Sequence, residues 1–397
     1  MNAAANEGFM DYQKLLNQTV QEIKPSGIRK YFDLAHQMKD VISLGVGEPD
    51  FATPWEIRQA GIDSLKERKT WYTANRGLEK LCCAISKYYM ERFGLCYAPN
   101  AEIMVTVGGS EALDLAIRAL VSPGDEVIIP QPSFVCYEPI TRLCGGVPVI
   151  IETRAEDGFK LRAKDLAAAI TEKTKLLVLP FPANPTGAVM RKEDLEEIAE
   201  VLREKEIMIL SDEIYCELTY GSPHVSIAQL EGMQEKTILV GGFSKSFAMT
   251  GWRLGYALAP EAVLKQMLKI HQFAIMSSPT TSQYAAIKAM SDYEGYIAPM
   301  REEYDRRRRL IVEGFNRLGL TCFQPEGAFY IFPSIKKTGL TSEEFCQRLL
   351  QEERLALVPG TAFGDCGEGY VRVSYAYSLK HINQALERLE KFMKQFD

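Results

Sequence analysis

Residues 175–187 of the chain read KLLVLPFPANPTG, residues 207–215 read IMILSDEIY and residues 237–246 read TILVGGFSKS. Each stretch begins with a short apolar run and then becomes polar or rich in glycine. Apolar runs without alternation are typical of strands that are covered on both faces of a sheet. The three stretches therefore predict buried strands, each followed by a loop that can carry functional side chains.

Outward from these stretches, strand and helix patterns alternate along the chain. Short β-type runs are separated by longer helical patterns, which predicts an α/β fold with a mostly parallel sheet and helices on both sides. The predicted strands are Ile103–Val107, Glu126–Pro130, Val147–Ile151, Lys175–Pro180, Ile207–Ser211, Thr237–Gly241 and Leu254–Ala259, and the predicted helices include Glu111–Leu120, Arg191–Lys205 and Glu261–Phe273.

The pattern changes after residue 280. A long helix is predicted over residues 282–318 with a break near Pro299, and the elements after it predict a smaller α+β unit onto which the first forty residues pack. We therefore expect an N-terminal arm with part of the small domain (1–45), a large domain (46–285) and a small C-terminal domain (286–397). The small unit is predicted to contain strands Ala328–Phe332, Leu355–Val358 and Tyr370–Ser374 and helices Ser342–Glu353 and Leu379–Phe396.

Composition and charge exclude several classes of protein. Lysine and arginine number 46 against 52 acidic residues, so the net charge is −6 and a generally basic nucleic-acid-binding surface is not expected. No apolar run reaches the ~18 residues of a membrane helix, and no secretory leader is recognised. The nine cysteines and four histidines are scattered, which predicts reduced thiols in a cytoplasmic protein without a metal site. Residues 306–309 form a charge run typical of a solvated or salt-bridged helix face.

Polar or glycine-rich segments follow four of the predicted strands. Ligands of open α/β sheets bind beyond the carboxyl ends of the strands, so these segments would meet at one edge. Each segment also has a simpler interpretation: an acid can cap a helix, a lysine can be solvated, Asn-Pro can form a turn and Gly-Gly-Ser can start a helix. Four such segments together favour a binding site. They are Gly108–Ala112, Pro180–Gly187, Ser211–Tyr215 and Gly241–Ser246.

The motifs of other cofactor-binding folds do not match this sequence. The segment from Gly45 to Gly47 lacks the third glycine of a dinucleotide motif, and Lys245 follows Ser244, so no P-loop is present. What remains is a lysine that can form an imine, an acid at Asp212 that can hold a protonated ring nitrogen, and a helix start that can bind phosphate. These are the tasks of the protein in a pyridoxal phosphate enzyme.

The sequence also resembles a known family. Residues 244–256, SKSFAMTGWRLGY, are similar to the cofactor attachment region of class I/II aminotransferases, which have fold type I of the aspartate aminotransferase superfamily. The branch it resembles contains bacterial aspartate, aromatic and N-acetyl-diaminopimelate aminotransferases. The resemblance covers essentially the whole chain and implies a large domain with a mostly parallel seven-stranded sheet between helices, plus a small α+β domain. The other matching motifs are Ser43–Asp50, Gly109–Glu111, Asn184–Gly187, Asp212–Tyr215 and Arg372–Tyr375.

The resemblance implies roles for the residues around the cofactor ring. Lys245 would form the internal aldimine and carry a proton between Cα of the substrate and C4′ of the cofactor. Asp212 would face the pyridine nitrogen and keep it protonated. Tyr215 and Asn184 would hydrogen-bond the phenolic oxygen, and Phe134 would stack on the ring face.

The resemblance also implies how the cofactor phosphate is held. Backbone N–H groups of Gly109, Ser110 and Glu111, at a helix N-terminus, would bind the phosphate with help from the helix dipole. Ser244 would add a hydroxyl group and Arg253 a positive charge. No metal ion takes part in this arrangement.

Substrate and partner residues are implied in the same way. Arg372 would bind the substrate α-carboxylate through two parallel hydrogen bonds, beside Asn184 and a loop that contains Gly45. Tyr72 matches a tyrosine that reaches the phosphate of the partner subunit, which implies a homodimer. Ser110 stands where the aspartate/prephenate branch carries a lysine for the distal carboxylate, and this departure weakens an aspartate assignment.

The sequence thus predicts a transaminase that uses pyridoxal 5′-phosphate. It would move an amino group between an L-amino acid and a 2-oxo acid by a ping-pong mechanism, with 2-oxoglutarate and glutamate as one pair. Two alternatives stay open. A C–S β-lyase of the same fold would use the same lysine, and a non-catalytic regulator would use the fold to sense a ligand. The sequence does not identify the amino donor.

Overall fold

The computed structural model describes residues 10, 12–25, 27 and 38–396. Its largest element is a seven-stranded sheet of mostly parallel strands, as the sequence predicts. The strands along the chain are β1 (Ile42–Ser43), β2 (Ile103–Thr106), β3 (Glu126–Gln131), β4 (Val147–Glu152), β5 (Thr174–Leu179), β6 (Met208–Asp212), β7 (Thr237–Gly242), β8 (Gly255–Leu258), β9 (Tyr330–Ile331), β10 (Leu355–Ala356), β11 (Val358–Pro359) and β12 (Val371–Ser374).

The large sheet has the order β2-β8-β7-β6-β5-β3-β4. Strand β8 is antiparallel to both of its neighbours, and the other adjacent pairs are parallel. In the register of the central strands, Leu179 of β5 lies beside Ser211 of β6, and Asp212 lies beside Val240 of β7. The loops that follow β5, β6 and β7 therefore leave the same edge of the sheet.

Both faces of the large sheet are covered by helices. Along β2, Ile103 and Val105 belong to one apolar core and Met104 to another, which is the alternation expected of a strand between two helix layers. The helices of the described residues are α1 (Gln18–Glu22), α2 (Trp55–Lys66), α3 (Glu79–Phe93), α4 (Gly109–Leu120), α5 (Tyr137–Leu143), α6 (Ala163–Ala169), α7 (Lys192–Leu202), α8 (Glu261–Ala274), α9 (Thr280–Ser291), α10 (Tyr293–Arg317), α11 (Ser342–Glu353) and α12 (Leu379–Met393).

A second group of elements follows the large sheet. Strands β11, β12 and β9 form a three-stranded antiparallel sheet, and β1 pairs with β10 in a separate two-stranded parallel sheet. The strands of this unit are shorter than the sequence predicts, because the predicted strand over residues 355–358 divides into β10 and β11, which pair with different partners. Their buried side chains share an apolar core with α10, α11 and α12.

The predicted break near Pro299 is wrong. The long helical region is interrupted at Asp292, whose backbone leaves the helical conformation and whose side chain accepts a hydrogen bond from the N–H of Gly295 at 3.2 Å. This cap begins α10, and Pro299 lies inside that helix. Pro299 is the seventh residue of α10, where its missing N–H removes one helical hydrogen bond, yet the helix continues through it. The capping aspartate satisfies an otherwise unpaired N–H group and so determines where the helix begins.

The N-terminal arm is described only in part, since residues 1–9, 11, 26 and 28–37 lie outside the described residues. Within the described part, α1 lies against α5 and β1 joins β10. The division at residues 45/46 and 285/286 stays a prediction. No helix among the described residues is long and apolar enough to cross a membrane. Among the same residues, no cluster of three histidine, cysteine or acidic side chains is placed to hold a metal ion.

Candidate active site

A cavity of about 390 Å³ lies at the sheet edge where β5, β6 and β7 end. Its volume is within the range of small-molecule and cofactor sites. Most of the residues singled out in the sequence line it, which shows that the sheet register brings the four segments together. The predicted residues in its wall are Gly109, Ser110, Phe134, Asn184, Asp212, Tyr215, Ser244, Lys245, Arg253 and Arg372.

Lys245 projects into this cavity from the loop after β7. Its Nζ donates a hydrogen bond to the carbonyl oxygen of Gly47 at 2.5 Å. Burial, assisted by the positive charge of Arg372, lowers the pKa of Lys245 to about 8 from the ordinary value of 10.5. A substantial fraction of this amine is therefore neutral near physiological pH, and a neutral amine can attack a carbonyl carbon or accept a proton.

Asp212 is the last residue of β6, and its carboxylate is buried. The phenolic O–H of Tyr137 donates to Oδ2 at 2.7 Å, and the backbone N–H of Ile214 donates to Oδ1 at 3.3 Å. Burial raises the pKa of Asp212, while the hydrogen bond from Tyr137 opposes that rise. A buried carboxylate with two neutral donors keeps capacity to bind a cationic N–H group of a ligand.

Arg372 is fully buried at the other side of the cavity, on β12. Its Nη1 donates to Oδ1 of Asn184 at 2.9 Å and its Nη2 donates to the carbonyl of Gly45 at 2.5 Å. The Nε group has no hydrogen-bond partner among the described residues. Burial lowers the pKa of this guanidinium group, which lies 4.6 Å from the ring of Tyr330 and 4.8 Å from the ring of Phe363.

The guanidinium group of Arg372 lies in the cavity wall, where it can bind an anionic ligand. Charged groups are costly to bury unless they are paired, so Arg372 has an unsatisfied preference for a carboxylate. Tyr215 lies nearby, and its phenol is hydrogen-bonded to that of Tyr330 at 2.9 Å. Burial raises the pKa of Tyr215, so this phenol stays protonated and can donate a hydrogen bond.

The first turn of α4 forms a tight backbone cradle. Gly108 has a φ of +77°, and a Cβ atom at this position would lie 2.7 Å from Nη2 of Arg253. A Cβ atom on Gly255 would lie 2.5 Å from the backbone nitrogen of Gly109. Glycine is therefore required for the close approach of these segments. Arg253 donates to the carbonyl of Thr250 at 3.1 Å and adds a positive charge beside the helix start.

Glu111, in the first turn of α4, does not line the cavity. Its carboxylate accepts hydrogen bonds from the N–H of Val107 at 2.5 Å and from Nδ1 of His271 at 2.7 Å. The Glu111 side chain therefore stabilises the turn before the helix. Only the backbone N–H of Glu111 can then donate a hydrogen bond to a ligand. This backbone role remains a prediction.

Two further predicted residues also lie outside the cavity wall. Gly45 stands behind Arg372 and contacts it through its carbonyl oxygen. The side chain of Tyr72 is exposed, as 75% of its surface is accessible to solvent in this single chain. That exposure is compatible with a contact to a second chain, which stays a prediction.

The sequence reasoning missed Tyr137, Tyr330 and Gly47. Tyr137 lies three residues after Phe134 in the same segment, so reading that segment further could have found it. Tyr330 lies on a two-residue strand, where no spacing pattern marks a site residue. Gly47 lies within the quoted motif of residues 43–50, but its contact with Lys245 joins positions 198 residues apart and has no sequence signal.

The cavity fits pyridoxal phosphate in several respects. The glycine cradle at Gly108 and Gly109 and the charge of Arg253 suit the phosphate, and Asp212 suits a protonated ring nitrogen. Lys245 offers an amine of lowered pKa for covalent attachment. A mostly parallel seven-stranded sheet with this cavity at its edge is the arrangement that the resemblance to pyridoxal-phosphate-dependent enzymes of fold type I implies.

Comparison with known proteins identifies the family. The family model described as aminotransferase class I and II matches residues 39–389. A Bacillus subtilis protein that is named as an aminotransferase, YugH, is 53% identical over 95% of this chain and 98% of its own length. The aspartate aminotransferase of Pyrococcus abyssi is 46% identical over 94% of this chain and 97% of its own.

A solved structure shows the same relationship. The crystal structure of the aromatic aminotransferase from Pyrococcus horikoshii matches with a TM-score of 0.88 and 44% identity, covering 93% of this chain and 99% of that one. The chain belongs to the class I and II aminotransferases, and it is a pyridoxal-phosphate-dependent transaminase. The family, fold and cofactor predicted from the sequence are thereby confirmed.

Proposed function

We propose that the enzyme moves an amino group between an L-amino acid and a 2-oxo acid in two half-reactions at one site, with glutamate and 2-oxoglutarate as one pair. The observation that carries this proposal is the meeting of Lys245, Asp212 and Arg372 in one cavity. Together they provide an amine of lowered pKa, a buried carboxylate and a buried guanidinium with an unpartnered N–H. The two half-reactions use the same groups in turn, which is the basis of a ping-pong mechanism.

Each cavity residue has a place in this proposal. Lys245 holds the cofactor covalently, Asp212 binds its pyridine nitrogen and Phe134 packs on its ring. Tyr215 and Asn184 bind its phenolic oxygen. When bound, pyridoxal phosphate supplies an electron sink for the negative charge that develops at Cα of the amino acid. The phosphate is held by the backbone of Gly109, Ser110 and Glu111 and by the side chains of Ser244 and Arg253.

Lys245 would also carry the proton between Cα of the substrate and C4′ of the cofactor. A general acid–base group works best when its pKa is near the operating pH, and the pKa of Lys245 is about 8. The Nζ atom lies close to the rings of Tyr215 and Phe329, at 5.9 and 5.8 Å from their centroids, and these rings limit the access of water. The amine is therefore placed to take a proton from the substrate and to return it during the reverse half-reaction.

The pKa of Lys245 predicts the pH dependence of cofactor attachment. In enzyme stripped of cofactor, attachment needs the neutral amine, so its rate should rise with pH and level off above a midpoint near 8. Stopped-flow absorbance after adding pyridoxal phosphate measures this rate. Attachment to Nα-acetyl-lysine, recorded in parallel, corrects for the titration of the cofactor. A rate that keeps rising to pH 10 would show that the amine has the ordinary lysine pKa.

Arg372 is proposed to bind the α-carboxylate of both substrates. Its charge is buried, its Nε lacks a partner, and Asn184 and Gly45 fix the plane of the guanidinium group. Two parallel N–H donors match the two oxygens of a carboxylate, and a lysine ammonium group cannot reproduce this fork.

Replacing Arg372 by lysine is expected to raise KM for both L-glutamate and 2-oxoglutarate by on the order of tenfold to a hundredfold, the value of one charged hydrogen bond. The affinity of stripped enzyme for pyridoxal phosphate should change little, because lysine keeps the positive charge that acts on Lys245. Arg388→Lys is the matched control, since Arg388 binds the backbone carbonyls of Asp40 and Arg354. Unchanged KM values in the Arg372 variant would remove it from the substrate site.

We also propose that the enzyme is a cytoplasmic homodimer in which Tyr72 reaches the phosphate of the partner subunit. The exposed side chains of Trp71 and Tyr72 support a contact with a second chain, since large apolar groups cluster at interfaces. Tyr72 lies outside the cavity of its own chain, so a contribution to a site would come through the partner.

The amino donor is tested by a panel of L-amino acids with and without 2-oxoglutarate. With 2-oxoglutarate present, the donor should give its 2-oxo acid and glutamate in equal amounts over many turnovers, and without 2-oxoglutarate it should give at most about one 2-oxo acid per active site. Relatives named for aspartate and for aromatic amino acids have nearly equal identity, 46% and 44%, so both classes belong in the panel. Pyruvate with ammonia and a thiol from cysteine conjugates would indicate a C–S β-lyase, and no product would indicate a ligand sensor.

A further inference from the structure

Residues 43–53 join the two cationic groups of the cavity. The carbonyl oxygen of Gly45 accepts a hydrogen bond from Nη2 of Arg372, and that of Gly47 accepts one from Nζ of Lys245. The two contacts are two residues apart on one piece of backbone. The position of segment 43–53, together with Asn184, therefore determines where the Arg372 guanidinium group is held.

The beginning of this segment is fixed by backbone hydrogen bonds. The N–H of Leu44 donates to the carbonyl of Ala356 at 3.0 Å, and the carbonyl of Leu44 accepts from the N–H of Ser374 at 2.7 Å. Beyond Gly45, the backbone is held more sparsely: the N–H of Val46 donates to the phenolic oxygen of Tyr377 at 3.1 Å. The far end of segment 43–53 is held at Thr53, whose Oγ1 donates to the carbonyl of Ala248 at 2.6 Å and accepts from Nε1 of Trp252 at 3.1 Å. The stretch between Val46 and Thr53 needs an anchor of its own if the Gly45 and Gly47 carbonyls are to stay in place.

An ion pair provides this anchor. Nη1 of Arg307 lies 2.8 and 2.9 Å from the two carboxylate oxygens of Asp50, and its Nε lies 2.8 Å from Oε1 of Glu303. The guanidinium carbon is 5.4 Å from the ring centre of Phe51 and 5.6 Å from that of Tyr304. Charge, hydrogen bonds and aromatic contacts together fix the segment on helix α10.

The charge run 306–309 contains two largely buried and two exposed arginines. The side chains of Arg307 and Arg308 are 8% and 12% exposed, whereas those of Arg306 and Arg309 are 61% and 67% exposed. Burial would lower the pKa of Arg307, but the hydrogen bonds to Asp50 and Glu303 outweigh it and the net shift is upward. The prediction of a solvated or salt-bridged face agrees with the ion pairs of the run, but no sequence signal indicates that Arg307 also pairs with Asp50, which is 257 residues away.

We propose that the Asp50–Arg307 ion pair is a positioning device for substrate binding. It fixes segment 43–53 so that the Gly45 carbonyl holds the Arg372 guanidinium group in the plane that receives a carboxylate. The proposal rests on the substrate role of Arg372 proposed above. Small displacements of a substrate-binding group have large effects on affinity and rate. Asp50 and Arg307 are not in the wall of the cavity, so they act through the backbone of the segment.

The test uses Asp50→Asn, Arg307→Lys and the double variant in the holoenzyme. Each single variant should raise KM for L-glutamate and for 2-oxoglutarate by about tenfold with a smaller change in kcat. The affinity of stripped enzyme for pyridoxal phosphate should fall by less than KM rises, because the residues proposed to hold the phosphate and the pyridine nitrogen lie outside the segment, which contacts Lys245 only through Gly47. The double variant should raise KM no more than the single variant with the larger effect, because both substitutions disrupt the same Asp50–Arg307 contact.

Arg309→Ala is the matched control, because Arg309 is an exposed arginine on the same helix that pairs with Asp305. It should leave both KM values unchanged. Arg372→Lys is measured in the same assay. If Arg372→Lys raises KM while Asp50→Asn and Arg307→Lys do not, the ion pair is not a positioning device. If Arg372→Lys itself leaves KM unchanged, the proposed role of Arg372 in substrate binding is rejected instead.

Thermal unfolding separates positioning from a general loss of structure. A KM increase accompanied by an equal loss of cofactor affinity would overturn the proposal, as would additive effects in the double variant. If neither single variant folds, the ion pair supports the fold as a whole, and the positioning role is rejected.

Discussion

Replacing Lys245 by alanine is expected to abolish covalent attachment of the cofactor and to lower kcat by at least about 10²–10⁴-fold, the contribution of a positioned general acid–base group. The amine of Lys245 enters the cavity, has a pKa of about 8 and lies near Asp212 and Arg372. Alanine leaves neither a nucleophile nor a proton carrier at this position, and the remaining residues cannot replace either function.

The measurement is reduction of the holoenzyme with borohydride, followed by digestion and mass spectrometry. The wild-type peptide that contains Lys245 should carry the mass of the reduced cofactor, and the alanine variant should carry none on any peptide. Lys269→Ala serves as the control, since Lys269 is an exposed lysine that bonds to Gln266 on its own helix. A variant in which Lys245 is absent but a reducible linkage persists would disprove the assignment.

Replacing Asp212 by asparagine is expected to leave the protein folded and to lower kcat by about 10³-fold. Without its negative charge, the pyridine nitrogen of the cofactor is not kept protonated, and the charge at Cα is poorly stabilised. A loss of about 4 kcal/mol in transition-state stabilisation corresponds to this factor. The hydrogen bond from Tyr137 can still be accepted by the amide oxygen of asparagine, so the local geometry is retained.

The stability of the Asp212→Asn variant tests the same site in the absence of cofactor. Burial raises the pKa of Asp212 in the folded state, so the folded protein binds this proton more tightly than the unfolded chain. Proton binding by Asp212 therefore stabilises the folded protein fully below the pKa that Asp212 has in the unfolded chain. This stabilisation is lost as pH rises through the pKa of Asp212 in the folded protein. At neutral pH the stripped variant should be at least as stable as stripped wild-type enzyme.

Near-normal turnover by the Asp212→Asn holoenzyme would contradict the proposed role of Asp212.

Much of the fold was predictable because the positions of the strands along the chain follow from local patterns, although their order in the sheet does not. The apolar runs at β5, β6 and β7 end where the chain becomes polar, and parallel strands must place these ends on one edge. Lys245, Asp212 and Asn184 could be identified for this reason. Their residue types match the chemistry, and their places at strand ends are visible in the sequence.

Contacts between distant parts of the chain could not be predicted. Tyr137 and Asp212 are 75 residues apart, and Tyr215 and Tyr330 are 115 apart. A tyrosine that supports a carboxylate looks like any core tyrosine until the fold brings the two together. The interruption at Asp292 was missed because a proline is a stronger local signal than a capping aspartate, although the cap determines where α10 begins.

The central claim is that one amino group moves between substrates through this site, and a half-reaction tests it most directly. Holoenzyme is mixed with L-glutamate alone, and 2-oxoglutarate and ammonia are quantified. About one 2-oxoglutarate per active site and no ammonia are expected, because the amino group stays on the enzyme. Addition of a second 2-oxo acid should then release its amino acid in the same amount. Ammonia release, continued formation of 2-oxoglutarate beyond one equivalent, or no product would contradict the claim.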